Sequence, residues 1–219
     1  MPRKSLITRI TAAVLAIAAL SFAVAACGSS SDDSSSSAPK PVAKIDPVTG
    51  VSTKVTLDTG FVDALTSLKV TPAPVGKATI SKAGVADFPI TGGKVTYYDP
   101  QSDYRPFVQG ILMHDGSGLS LTAGGTEVDL TDFVIDPGTS TLTGKVSVNG
   151  KVAAPSALLF DLDGSTLKPL ISNPDGSATL EGTTVKLSAD AASLLNDTFK
   201  IDALKPGLVI GISAITVKG

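Results

Sequence analysis

From Val51 onward the chain is a series of short strand-like pieces cut by glycine, proline, asparagine and aspartate, and this rhythm narrows its fold more than any other feature. The pieces are VSTKVTLD (51–58), VADFPITGGKVTYY (85–98), RPFVQGILMHD (105–115), GLSLTA (118–123) and TEVDLTDFVID (126–136), followed by STLTGKVSVNG (140–150), ALLFDLD (157–163), SATLEGTTVKLS (177–188) and VIGISAITVK (209–218). A turn signal about every 8 to 15 residues with apolar alternation between is the pattern of an antiparallel sandwich or barrel. Gly92-Gly93 reads as a turn joining two strand pieces, and the glycines at 116 and 118 read as a turn separating two more. The expected fold class is therefore mainly β: an antiparallel sandwich or barrel-like single domain over 51–219, with one or two short helices.

The helices are FVDALTSL (61–68) and ADAASLLNDTF (189–199), whose apolar residues recur at helical spacing. Asp58 or Thr59 and Ser188 stand where a side chain can accept the free amides of a first turn. Each helix follows a Val-x-Leu strand end, Val55 to Leu57 and Val185 to Leu187, and Leu65 and Leu195 lie at matching distances beyond. The pattern reads either as an internal repeat of two half-domains or as a chance recurrence.

The N-terminus follows other rules. Arg3, Lys4 and Arg9 precede an Ala/Leu/Ile/Val run from Ile10 to Ala26, and Cys27, the one cysteine, follows directly. Residues 1–26 read as a secretory signal peptide. Val24-Ala25-Ala26-Cys27 resembles the lipobox of bacterial lipoproteins, whose cysteine thiol accepts a diacylglycerol before cleavage. A diacylglycerol on Cys27 would hold the protein to a membrane through two acyl chains, at the extracytoplasmic face of the cell envelope. No other cofactor is expected, and with its thiol acylated the chain has none left for disulfides, catalysis or metal. Residues 27–50, with GSSSDDSSSSAPKPVAK at 28–44, read as the lipidated cysteine and a flexible Ser/Pro-rich tether. The Ala-rich, Trp-free style and serine spacer resemble actinobacterial proteins.

Charge and aromatic supply exclude partners. Removing Arg3, Lys4 and Arg9 from 18 Lys+Arg leaves 15 against 20 Asp+Glu, an acidic balance that argues against nucleic acid. Seven Phe, three Tyr and no Trp are too few for an obvious carbohydrate-stacking platform. A protein, a glycan or a small apolar ligand remains as the partner, beside the membrane itself.

Three segments carry candidate chemistry. FDLDGST (160–166) resembles the first motif of haloacid dehalogenase-like phosphatases; that resemblance would make Asp161 the nucleophile and Asp163 the acid/base, with Ser165 in place of the family's threonine. Only 58 residues follow Asp161, without the alternating strands and helices or the downstream acidic pair of such a domain. The same residues also read as a strand ending in an Asp163-Gly164 turn, or as part of an oxygen-ligand cation site. His114, the only histidine, cannot build a zinc cluster of imidazoles and thiolates, and HDGSG at 114–118 is not the Gly-x-Ser-x-Gly elbow. It reads as a strand-end residue or a ligand. YYDPQSDYRPF (97–107) gathers Tyr97, Tyr98, Tyr104 and Arg105, the last being the only arginine after the signal peptide. Tyrosine and arginine anchor binding surfaces, so Tyr97, Tyr98, Tyr104 and Arg105 with His114 form a candidate ligand patch.

QGILMHDGSGLSLTAGGTEVDLTDFVID, then TLTGKV, and later VKLSADAASLLNDTF, resemble the core of the HtaA-type domains of actinobacterial surface proteins. That resemblance implies a β-rich extracellular module, of a family in which some members bind haem through a tyrosine supported by a histidine; His114 would match the histidine. The family's Ser-Phe-x-x-Tyr segment has no counterpart at the start of this domain. The leading expectation is a non-catalytic, membrane-anchored binding or structural module. The alternatives are a haem or small-ligand capture protein of an uptake system and a metal-dependent phosphatase-like hydrolase.

Overall fold

The punctuated strands build one antiparallel sheet of 13 strands, seen in a computed structural model that describes residues 38–219. In chain order the elements are β1 (Ala43–Ile45), β2 (Gly50–Leu57), α1 (Thr59–Ser67), β3 (Thr71–Gly76), β4 (Thr79–Ile80), β5 (Val85–Pro89), β6 (Gly92–Tyr97) and β7 (Val108–Ala123). There follow β8 (Thr126–Asp136), β9 (Thr141–Val148), β10 (Lys151–Asp163), β11 (Ile171–Ser172), β12 (Ala178–Leu187), α2 (Ala189–Phe199) and β13 (Val209–Lys218). The sheet runs β1-β6-β7-β8-β9-β10-β12-β13-β2-β5-β4, with β3 beside β7 and β11 beside β12. It curls into a half-barrel, so that strands from its two halves face each other: the Phe88 ring on β5 meets Phe133 on β8 edge to face at 5.3 Å. The signal peptide, Cys27 and the start of the tether lie outside the described residues.

The central meander follows from local turn chemistry. Ala123 pairs with Thr126 and Val148 with Lys151, leaving the two-residue loops Gly124-Gly125 and Asn149-Gly150. All four loop residues have positive φ, as the tight turn compatible with strand twist requires. Both helices start where their caps allow. Asp58 Oδ1 accepts the Gly60 and Phe61 amides, and Ser188 Oγ accepts the Ala191 amide. The two strand-cap-helix units flank β13, where Gly211 pairs with Leu57 on one side and Val185 on the other. Leu65 and Leu195, the recurrent helix positions, are both buried in the core. Ser188 is fully buried, and its hydroxyl also donates to the Leu158 carbonyl at 2.7 Å, tying α2 to β10. Replacing it with alanine removes a cap and leaves the half-buried Leu158 carbonyl without its donor; urea unfolding is expected to register a loss of about 2 kcal/mol.

Four expectations need correction. The tether assigned to 27–50 overlaps the domain: Ala43–Ile45 pairs with Val95–Tyr97, and Val48 is only 2% exposed. Burial of Ile45 and Val48 supplies the apolar area that the serine run lacks. Gly92-Gly93 does not turn a hairpin, because β5 pairs with β2 and β6 with β7. Residues 105–123 are not two strands around a turn. From Val108 they form one 16-residue strand, whose register against β8 shifts between His114 and Gly118. That shift is a β-bulge, with Gly116 at positive φ and its amide donating to Asp132 on β8. His114 is accordingly an interior strand residue and not a strand end. TPAPVG at 71–76, outside the strand pieces read from the sequence, forms β3, an edge strand pairing only with the second half of β7, a position that tolerates its two prolines.

Candidate functional site

Inside the curl lies a cavity of about 540 Å³. Alternation along β7 before its bulge points Val108, Leu112 and His114 inward, and the β6 residues paired on that face include Tyr97 and Val95. Across the cavity stand Val55 of β2 and Phe88 of β5, with Phe133 and Ile135 of β8 completing the buried end. Gly144 on β9 leaves room for this packing: a Cβ there would press on the Leu159 and Phe133 side chains. The walls are overwhelmingly aliphatic and aromatic, and the volume falls within the range of small-molecule pockets. The other end opens between Arg105–Phe107, the β8–β9 turn at Pro137 and Ser140, and the segment from Gly164 to Leu170.

His114 closes the buried end. It is 1% exposed, with Nδ1 at 3.2 Å from the Phe133 carbonyl and Nε2 at 2.9 Å from Thr53 Oγ1. A carbonyl oxygen only accepts, so Nδ1 carries the proton and Nε2 accepts from the Thr53 hydroxyl. Burial lowers its pKa to about 4, against smaller opposing effects of the Phe133 carbonyl and the Asp115 charge. Thr53 and Phe133 were not singled out from sequence. Thr53 shares the inward face of β2 with Val55 and Leu57, so an inward polar residue was the available signal.

The candidate patch divides. Tyr97, Arg105 and His114 line the cavity, whereas Tyr98 and Tyr104 do not; these two pack edge to face against each other at 4.7 Å. Tyr97 is buried, its ring against Phe107 at 5.9 Å. It pairs with Val108, six residues before His114 on β7, which places the two roughly 20 Å apart along the strand. Arg105 is exposed at the open end, 5.5 Å over the Phe107 ring, and donates to the carbonyls of Pro100, Ser102 and Tyr104.

FDLDGST lies elsewhere in chemistry. Asp163 ends β10, where it binds Lys186 Nζ at 2.7 Å and accepts the Ser165 amide. The Lys186 hydrogen bond, then those from Ser165, hold its carboxyl well below the usual carboxylate range. Asp161 is exposed, and no group of three His, Cys, Asp or Glu residues suited to a metal forms among the described residues. Asp163-Gly164 does leave the strand in a turn, closed by the Leu167 amide on the Gly164 carbonyl, but β12 returns only after a further excursion through β11.

A curled antiparallel sheet around an apolar cavity is the class of domain defined so far. Among solved structures it is similar to the C-terminal domain of HtaA from Corynebacterium glutamicum, with 14% identity and a TM-score of 0.52 over 78% of this chain and 97% of that one. A domain-swapped dimer of the H434A variant of that domain covers 73% of this chain and 91% of its own at 13% identity and TM-score 0.42. Heme binding protein HtaB from the same organism covers 80% and 96% at 9% identity and TM-score 0.41. The first likeness shows a shared fold, in agreement with the resemblance in the sequence. No protein-family model matches the chain, and no curated protein matches it.

Proposed function

We propose that this protein is a non-catalytic capture module of the cell envelope, anchored through lipid on Cys27, which takes a small, largely apolar molecule into the half-barrel. The apolar cavity of about 540 Å³ carries this reading. A well-packed interior leaves few voids larger than a water molecule, so a space of this size is a feature with a use. The fold shared with the HtaA domain supports a surface role.

Haem is one ligand to test, because HtaB is a heme binding protein and some HtaA-type domains resembled here bind haem. The tyrosine-with-histidine pair implied by that resemblance does not fit these residues. Both nitrogens of His114 are engaged, and Tyr97 lies roughly 20 Å away along β7. No iron-ligating role is therefore assigned to either. The test is titration of the full chain, carrying Cys27→Ser so that its own acyl chains are absent, with an apolar environment-sensitive dye and separately with haem. Saturable dye binding at one site per chain is expected. Absence of saturable binding by either probe at micromolar concentrations would overturn the capture reading.

A further inference from the structure

We infer that the captured molecule is an acyl-type amphiphile, an apolar chain ending in an anionic head, which lies along β6 and β7 with its head at Arg105 and its tail toward His114. The inference rests on the capture reading and names its ligand class. Charge gives the orientation. Among the described residues, Arg105 is the only charged side chain on the cavity wall, it stands at the open end, and no carboxylate pairs with it. Its contacts to three backbone carbonyls fix the guanidinium in place without neutralising it. Five N–H groups in a planar fork leave donors for a carboxylate arriving from solvent.

Shape gives the chain. The wall from Tyr97 and Val108 to His114 is a strand-length track of roughly 20 Å. Along it the paired positions are Val95 with Gly110 and Leu112 with Gly93, so each step carries one aliphatic side chain and one glycine. Both glycines have φ +129, and a Cβ on either would collide with a carbonyl of the neighbouring strand, so no side chain can be added there without moving the backbone. An apolar track with one aliphatic side chain at each step suits a flexible methylene chain. At its end His114 offers nothing polar to a ligand, because its hydrogen bonds are already made with Thr53 and Phe133.

Palmitate and its methyl ester separate head from chain. Both are expected to bind the full Cys27→Ser chain and to displace the apolar dye, palmitate more tightly. Arg105→Gln should weaken palmitate about tenfold, the scale of a lost charge-assisted hydrogen bond, while leaving the ester within about twofold. Arg105→Lys should keep most of the palmitate affinity, and circular dichroism of both variants should match the parent. Equal binding of acid and ester, unchanged by Arg105→Gln, would overturn the head assignment. Dye or haem binding without displacement by either palmitoyl compound would overturn the acyl class while leaving capture standing. Loss of all three kinds of binding in the parent chain would remove the capture reading itself.

Discussion

Replacing His114 with alanine is expected to destabilise the domain by about 3 to 4 kcal/mol, the sum of a buried large-to-small change and stranded hydrogen-bond partners. The Phe133 carbonyl loses its donor and the Thr53 hydroxyl its acceptor, both inside the curl. The interaction joins β2 to β7 and β8, strands from the two halves of the sheet, so it acts on the closure of the half-barrel and not on one local turn. Thr53→Val, which removes only one donor, should cost about 1 to 2 kcal/mol, and a double-mutant cycle between the two should show coupling. Urea unfolding measures all three; a His114→Ala loss below about 1 kcal/mol would refute the account. The same residue sets a pH dependence. Its folded pKa of about 4 lies below the unfolded value near 6.5, so the unfolded chain binds the proton first as pH falls. The stability from neutral His114 is full above pH 6.5 and declines through the window down to about 4, by roughly 3 kcal/mol in all. The His114→Ala variant should lack this decline. The acidic residues held below the ordinary carboxylate value of 3.8, Asp132, Asp163 and Asp175, contribute stability that is present above that value and lost only as pH falls through their own lower folded values.

What could be read in advance follows the range of the interaction. Asp58 and Ser188 cap helices within three residues of themselves, and Asn149-Gly150 closes its own hairpin, so their roles are spelled locally. Gly116 looked like a turn for the same local reason, yet it belongs to a bulge. Its amide is held by Asp132, a residue itself at positive φ whose carboxylate also pairs with Lys145 on β9. Three strands decide that geometry, and no window of one strand contains it. The candidate patch failed to gather in a related way. Tyr97 and His114 are close in sequence and share the inner face, but an extended strand spreads six residues over roughly 20 Å. Conversely His114 and Thr53 are 61 residues apart and touch. The two aspartates of FDLDGST had a convincing spelling, but the decisive neighbour of Asp163 is Lys186, supplied by β12 across the loop.

Filling the track should abolish capture with little effect on folding, and Val95→Trp is the substitution that does so. Val95 is half-buried, faces the cavity and lies opposite Gly110, so an indole extends into existing space instead of forcing a packed core apart. Overpacking a filled interior costs about 1 to 3 kcal/mol; here the change should stay near or below the low end. Displacing about 100 Å² of apolar ligand contact corresponds to about 2.5 kcal/mol, so dye binding should fall by more than about tenfold. Ile111→Trp is the matched control, because Ile111 is the neighbouring β7 residue on the outer face and is 41% exposed. It should leave binding unchanged. If Val95→Trp binds as well as the parent while the outer variant does not, the ligand sits on the convex face and the cavity is not its site. The inner and outer faces of one strand pair thus separate capture within the sheet from adhesion to it, a distinction that the amount bound by the parent chain alone does not make.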